Sequence, residues 1–276
     1  MRIALLQIAT GGDKMENLAA IDPLIRDAAA QGATLIVLPE GASQAFEQGR
    51  LDTQAEELDG PFATRLQKLS DELRVTIVAG MFRPADTQTV DGKSLNRVYN
   101  TALITGGGVH KGYDKIHTYD AFNYRESDTV RPGSELVTFV HEGVTVGVAT
   151  CFDIRFPEQF QALSDRGAKV VAMPTSWADG PGKVEQWRTL TAARALDAGV
   201  FIAAAGQSRP DFEAKAGQPS GPTGAGHSCV VDPSGRRVAE AGYGPDTLIV
   251  DIDPAQADKQ REQLPLGAIR ANTAMR

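Results

Sequence analysis

The chain has 276 residues, of which 42% are hydrophobic and 23% charged, the usage of an ordinary globular protein. Its formal charge of −7, with no cluster of Lys and Arg, argues against a nucleic-acid or anionic-membrane partner, since both need concentrated positive charge. Two cysteines, no signal-peptide pattern in MRIALLQIAT and no run of about 20 apolar residues point to a cytoplasmic protein without disulfide framework or membrane span.

The pattern opens with a buried strand over residues 2–9 and a helix over 14–31, where Leu18, Ile21, Leu24, Ile25 and Ala28 fall at helical spacing. TLIVLPE (34–40) predicts a second buried strand, broken by Pro39. A helix follows near 61–73 with Pro61 at its start, then a strand over 75–82. Arg97–Ile104 and Val109–Tyr113 flank Gly106-Gly107-Gly108 as a hairpin; Leu136–Val140 and Val144–Thr150 flank His141-Glu142-Gly143 as another. A helix from Pro157, a strand over 169–174, a helix over 183–198 and a strand over 200–206 continue the alternation. Residues 207–225 are rich in Gly and Pro and lack an apolar period, so they read as a long loop, and loops of that length are usually functional. Strands resume at 227–232, 236–241 and 247–253, before a polar, weakly helical tail after Pro254. Such alternation predicts a single α/β domain, with hairpins that make its sheets mixed.

Familiar signatures fail. Gly92-Lys93-Ser94 has Thr87 where a phosphate loop needs its first glycine, and Lys111 stands where a dinucleotide fingerprint from Gly106 needs its third. The four histidines are scattered and no Cys-x-x-Cys pair exists, so no metal site is expected.

One constellation succeeds. Cys151 ends the apolar strand VTVGVATC and precedes FDIRFPEQFQAL, which turns into a helix. A strand–turn–helix elbow holds a side chain up at the sheet's carboxyl edge, and nearby backbone amides are expected to lower the thiol pKa. On its own Cys151 reads better as a small core residue. Glu40 ends TLIVLPE, where a carboxylate beside a buried strand has either a task or a solvated position. Lys115, flanked by Tyr113, Ile116, Tyr119 and Phe122, reads as a partly covered ammonium that needs a carboxylate nearby. Together the three residues suit acyl transfer. The thiolate attacks a carbonyl carbon, Glu40 takes the thiol proton and later gives one to departing ammonia, and Lys115 with the Phe152 backbone N–H stabilises the oxyanion. This chemistry requires no metal or organic cofactor.

The blocks TLIVLPEGA, GYDKIHTYDAF and GVATCFDIRFPE resemble the nitrilase, or carbon–nitrogen hydrolase, superfamily in order and spacing. WRTLTAARALDAGVFIAAAGQS, GHSCVVDPSGRRVAEAG and IVDID…REQLP are similar to its later blocks, so the resemblance spans nearly the whole chain. It implies a single domain over 1–276, an α-β-β-α four-layer sandwich of two mixed sheets paired across a homodimer or higher homo-oligomer. It implies Glu40 as general base, Lys115 as oxyanion partner, Cys151 as nucleophile, and a second catalytic glutamate for which Glu126 in YRESDTVRPG is the candidate. Glu126 paired with Arg125 or Arg131 is the competing reading. The blocks are closest to amidases acting on ω-amides of 2-oxo acids or on deaminated glutathione, and the expected substrate is a small carboxamide. Nitrile or N-carbamoyl hydrolysis would use the same three residues, and a catalytically silent binding protein of this fold is the alternative of another class.

Four further residues are weighed. Arg155 is expected to form a structural ion pair with Asp153 or Glu158. Trp177 either walls the pocket as a substrate contact or packs in the core. Cys229 is expected to be a buried hydrophobe. A Cys–His mechanism through His117 has no evident Asn or Asp to orient the imidazole.

Overall fold

The computed structural model describes residues 1–121 and 124–273. In chain order it contains β1 (Arg2–Gln7), α1 (Lys14–Ala30), β2 (Leu35–Val37), α2 (Pro61–Leu73), β3 (Thr76–Val90), β4 (Lys93–Gly106), β5 (Val109–Asp114), β6 (Asp120–Ala121) and β7 (Tyr124–Arg125). There follow β8 (Thr138–His141), β9 (Val144–Val148), α3 (Pro157–Asp165), β10 (Val170–Thr175), α4 (Lys183–Ala198), β11 (Phe201–Gly206), β12 (Cys229–Val231), β13 (Arg237–Glu240), β14 (Asp246–Asp251), α5 (Ala255–Gln263) and α6 (Leu266–Ala271).

Two six-stranded sheets form, ordered β14-β1-β2-β3-β4-β5 and β13-β12-β11-β10-β9-β8, beside a small β6-β7 ribbon. Each large sheet has a parallel centre, β1-β2-β3 or β9-β10-β11, and antiparallel edges. The period-2 alternation of side chains divides the apolar residues between layers. Ile3 and Leu5 of β1 join Val170 and Ala172 of β10 and Phe201 and Ala203 of β11 in a core between the sheets. The alternate residues Ala4 and Leu6 pack instead with Ile21 and Ile25 of α1 and Phe62 and Leu66 of α2. On the other side Val171, Met173, Ile202 and Ala204 pack with Phe160 of α3 and Trp187 of α4. The result is the expected four-layer α-β-β-α sandwich. Among the described residues no helix is long and apolar enough to cross a membrane.

The helix boundaries follow local chemistry. Asp13 caps α1 by accepting from the amides of Met15 and Glu16, and α2 starts on Pro61. The strand expected over 75–82 is longer than its apolar run. β3 and β4 extend as a half-exposed hairpin that turns at Asp91-Gly92, both at positive φ. That extension is mostly polar and carries few strand-favouring residues, so apolar content did not reveal it. The turn after β8 is Glu142-Gly143 alone, and His141 is a buried strand residue. Its Nδ1 meets Thr76 Oγ1 at 2.9 Å and its Nε2 meets Thr34 Oγ1 at 3.1 Å, at the end of the sheets remote from Cys151.

Candidate active site

Two parallel strands, one from each sheet, deliver the central pair. Glu40 follows β2, and Cys151 follows β9 at the start of a short 3-10 turn. Gly80 on β3 lets the chain pass close at Glu40, since a Cβ there would lie 2.6 Å from the Glu40 Cα. Gln207 Nε2 donates to the Glu40 carbonyl at 3.0 Å and holds the main chain from the opposite sheet. Cys151 has φ 43, a left-handed conformation uncommon for a residue with a side chain, and such strain concentrates at working sites.

Asp153, fully buried, fastens this turn to the lysine segment. Its Oδ2 accepts the Thr150 amide at 2.8 Å and the Tyr113 hydroxyl at 2.6 Å, while Oδ1 accepts the His117 amide at 3.0 Å and His117 Nδ1 at 2.8 Å. Tyr113 and His117 stand two residues either side of Lys115, so one carboxylate sets both flanks of the lysine relative to Cys151. Main-chain bonds complete the placement, from Lys115 N to Asn100 O at 2.8 Å and from Gly133 N to Lys115 O at 2.8 Å.

The Lys115 ammonium is shared by two buried carboxylates. Nζ lies 3.0 Å from Glu40 Oε1 and 2.9 and 3.1 Å from the oxygens of Glu126. Asn100 Nδ2 bridges the same carboxylates, at 2.7 Å from Glu40 and 3.3 Å from Glu126. Glu40 Oε2 accepts the Ser176 amide at 2.9 Å, and Glu126 Oε2 accepts the Tyr119 amide at 2.6 Å. The Cys151 thiol shares this pocket with Glu40, Lys115 and the Ser176 backbone, all of which act on its titration. Burial pushes the thiol well up from its ordinary range and the Glu40 charge adds to this, against the pull of Lys115. Burial also raises Glu40, with Glu126 adding and Lys115 opposing. For Lys115, burial favours the neutral amine, but Glu126 and Glu40 outweigh it and hold the group charged. Glu40, Lys115, Glu126 and Cys151 open on one cavity that is also lined by Phe46, Tyr119, Tyr124, Phe152, Arg155, Trp177 and Lys183.

Residues 2–262 match the family model described as carbon-nitrogen hydrolase. The chain belongs to the carbon–nitrogen hydrolase family. As a member it is an enzyme of carbon–nitrogen bonds other than peptide bonds. It is 43% identical over 270 residues to the hydrolase Rv0480c of Mycobacterium tuberculosis, covering 96% of this chain and 93% of that protein. It is 31% identical to the deaminated glutathione amidase of Escherichia coli O157:H7, covering 96% of this chain and 95% of that one. Saccharomyces cerevisiae Nit3, a member of branch 10 of the nitrilase superfamily, superposes with a TM-score of 0.78 at 27% identity, over 96% of this chain and 94% of that chain.

In this carbon–nitrogen hydrolase the structure brings Glu40, Lys115, Glu126 and Cys151 together. Glu126 turns to Lys115, while Arg125 pairs with Asp128 and Arg131 with Asp86. Phe152 follows Cys151, its ring edge-on to Tyr119. Trp177 lines the cavity and also packs on Trp187 with ring centroids 5.3 Å apart. Cys229 is buried in the core, as expected. Phe122, read as a flank of Lys115, lies outside the described residues.

Three expectations need correction. Arg155 pairs with neither Asp153 nor Glu158. Asp153 is taken by the Thr150–His117 network, and Arg155 points to the cavity, donating to Gln186 Oε1 at 2.9 Å and lying 5.2 Å from the Trp177 ring centroid. His117 does have an orienting aspartate, Asp153, but its imidazole stacks on Phe156 at 3.5 Å and does not line the Cys151 cavity. The resting thiol is not lowered by backbone amides, because burial outweighs them. Sequence reasoning missed Asn100, Ser176 and Lys183. Only Asn100 left a signal, a polar residue of low β-propensity inside the apolar strand RVYNTALI.

Proposed function

We propose that this enzyme hydrolyses a small carboxamide to carboxylate and ammonia through a thioester on Cys151. The observation that carries this reading is the Cys151 thiol on the wall of one cavity with Glu40, whose carboxylate holds the Lys115 ammonium at 3.0 Å. Passing the thiol proton to Glu40 moves a charge without creating one. Glu40 and Glu126 with Lys115 carry one net negative charge before the transfer, and the thiolate, Glu126 and Lys115 carry one after it. The buried site therefore need not import charge from water, although burial raises both acids individually. The thiolate adds to the amide carbon, and the oxyanion is stabilised by Lys115 and the Phe152 backbone N–H. Glu40 then protonates the leaving ammonia. It next accepts a proton from the water that attacks the thioester, and returns it to the Cys151 sulfur as the carbon–sulfur bond breaks. Glu126 holds the ammonium in position throughout.

Arg155 and Lys183 bring two positive side chains to the cavity wall near Trp177, with Lys183 Nζ 5.8 Å from that ring centroid. An acyl group ending in a carboxylate suits that wall better than a plain alkyl chain. The experiment is ammonia release from short aliphatic amides and from ω-amides bearing a carboxylate. The carboxylated amides should give the higher kcat/KM, and an enzyme that releases ammonia from none of them is not this amidase.

A further inference from the structure

The wall carrying Trp177 and Lys183 is not held by its own sheet alone. Asp179, in its middle, is almost wholly buried, and most of its partners lie in the 207–225 loop. Its Oδ2 accepts Arg209 Nε at 3.2 Å and the Gly217 amide at 2.9 Å, while Oδ1 accepts the Gly180 amide at 2.8 Å. Its amide donates to Ser220 Oγ at 2.9 Å and its carbonyl accepts the Ser220 amide at 3.2 Å. Arg209, also buried, sends Nη2 to the carbonyls of Gln218 and Lys215 at 3.4 and 3.5 Å. Ser176 Oγ donates to the Pro222 carbonyl at 2.8 Å, so the loop's far end is stitched to the same wall. At the loop's near end Gln207 holds the Glu40 carbonyl.

We propose that Asp179 and Arg209 are positioning residues that lock the 207–225 loop onto the Trp177–Lys183 wall and so set which acyl groups reach Cys151. A buried ion pair is costly to desolvate and is often replaceable by apolar residues without loss of stability, so its place at a pocket wall favours a positional role over a purely stabilising one. The pair touches neither Cys151 nor the Lys115 cluster. Its loss should therefore alter selection and leave the chemistry. The inference rests on Cys151 as the reacting thiol but not on which amide is the substrate.

The test compares wild type with Asp179→Asn and the double variant Asp179→Asn/Arg209→Gln, which leaves no lone buried charge. Cys151 is alkylated with neutral iodoacetamide and anionic iodoacetate, and the adduct is located by mass spectrometry. In the wild type the cationic wall should favour iodoacetate relative to a free thiol. In the double variant that preference should fall by about fivefold or more, while the iodoacetamide rate stays within about twofold, since a local positive potential acts on the charged reagent. A preference unchanged in the double variant overturns the proposal, and so does an iodoacetamide rate that falls in step with it. Hydrogen exchange supplies a readout independent of any reaction at Cys151. Residues 177–183 and 207–225 should exchange faster together in both variants, and unchanged exchange also overturns the clamp. A wild-type Cys151 that alkylates no faster than Cys229 instead removes the nucleophile reading, leaving exchange to decide the clamp.

Discussion

Lys115 and Glu126 are eleven residues apart in the chain, yet the ammonium touches both carboxylate oxygens of Glu126, at 2.9 and 3.1 Å. Glu40 meets the same ammonium at 3.0 Å, so one positive charge is balanced between two negative ones. Removing either neighbour must move Glu40, and in opposite directions.

Lys115→Ala leaves Glu40 beside Glu126 with no cation between them. Burial and Glu126 already raise Glu40, and the lost ammonium was the force opposing them. The base becomes harder to ionise, so the acid limb of kcat/KM should shift to higher pH. The lost oxyanion donor should also cut turnover by about 10² or more. The measurement is kcat/KM against pH on one amide; near-normal rates with an unmoved limb would make Lys115 an ordinary lysine.

Glu126→Gln keeps the shape and the acceptor for Tyr119 but removes the charge that raises Glu40. Its acid limb should move to lower pH while kcat falls, because Lys115 is less firmly held. A limb that moves in the same direction as in Lys115→Ala would contradict the charge balance described above.

Cys151→Ala should fold normally and lose turnover by about 10⁴ or more, as expected on deleting a nucleophile. Cys229→Ala, in a core position away from the cavity, should keep wild-type kcat at some cost in stability. Initial rates and thermal melts of both variants check this. A Cys151→Ala enzyme with a tenth of normal activity would remove that residue from the mechanism.

Arg155→Met should raise KM for a carboxylated ω-amide by about tenfold or more, the scale of a lost charge-assisted contact, and change kcat little. An uncharged amide of the same length should be nearly indifferent. Equal losses on both substrates would show that Arg155 only supports the cavity.

His141 is lowered from its ordinary value of 6.5 by burial, with Glu142 opposing and the N-terminal ammonium adding. The unfolded chain then binds the proton more readily. The stability it contributes is complete above the unfolded value and declines as pH falls below it towards the folded value. Melting temperatures followed from about pH 8 to about pH 5 should fall more steeply for wild type than for His141→Gln. Parallel curves would exclude His141 as the group responsible.

Much was legible before folding because it is encoded locally. Strand and helix order follow from apolar period, so α2 and α4 were read to their observed limits. Glu40 and Cys151 could be picked out because each closes an apolar run where a turn residue or a hydrophobe is the ordinary choice, and the resemblance joined them to Lys115 and Glu126. The exposed half of the β3–β4 hairpin was missed because its strands pair through backbone hydrogen bonds without an apolar face.

The sequence by itself determined the element order and the family, and made Glu40, Lys115, Glu126 and Cys151 the candidates for the site, since these depend on residue type and spacing along the chain. Only the tertiary structure decided that Asn100 bridges Glu40 and Glu126, that Arg155 faces the cavity, that Asp153 is committed to Tyr113 and His117, and that Asp179 holds the 207–225 loop. It also reversed the expected direction for the Cys151 thiol. Each of these depends on distance or burial between residues far apart in sequence. Electrostatic and hydrogen-bond energies vary steeply over a few ångströms, and no local pattern of residues specifies those separations.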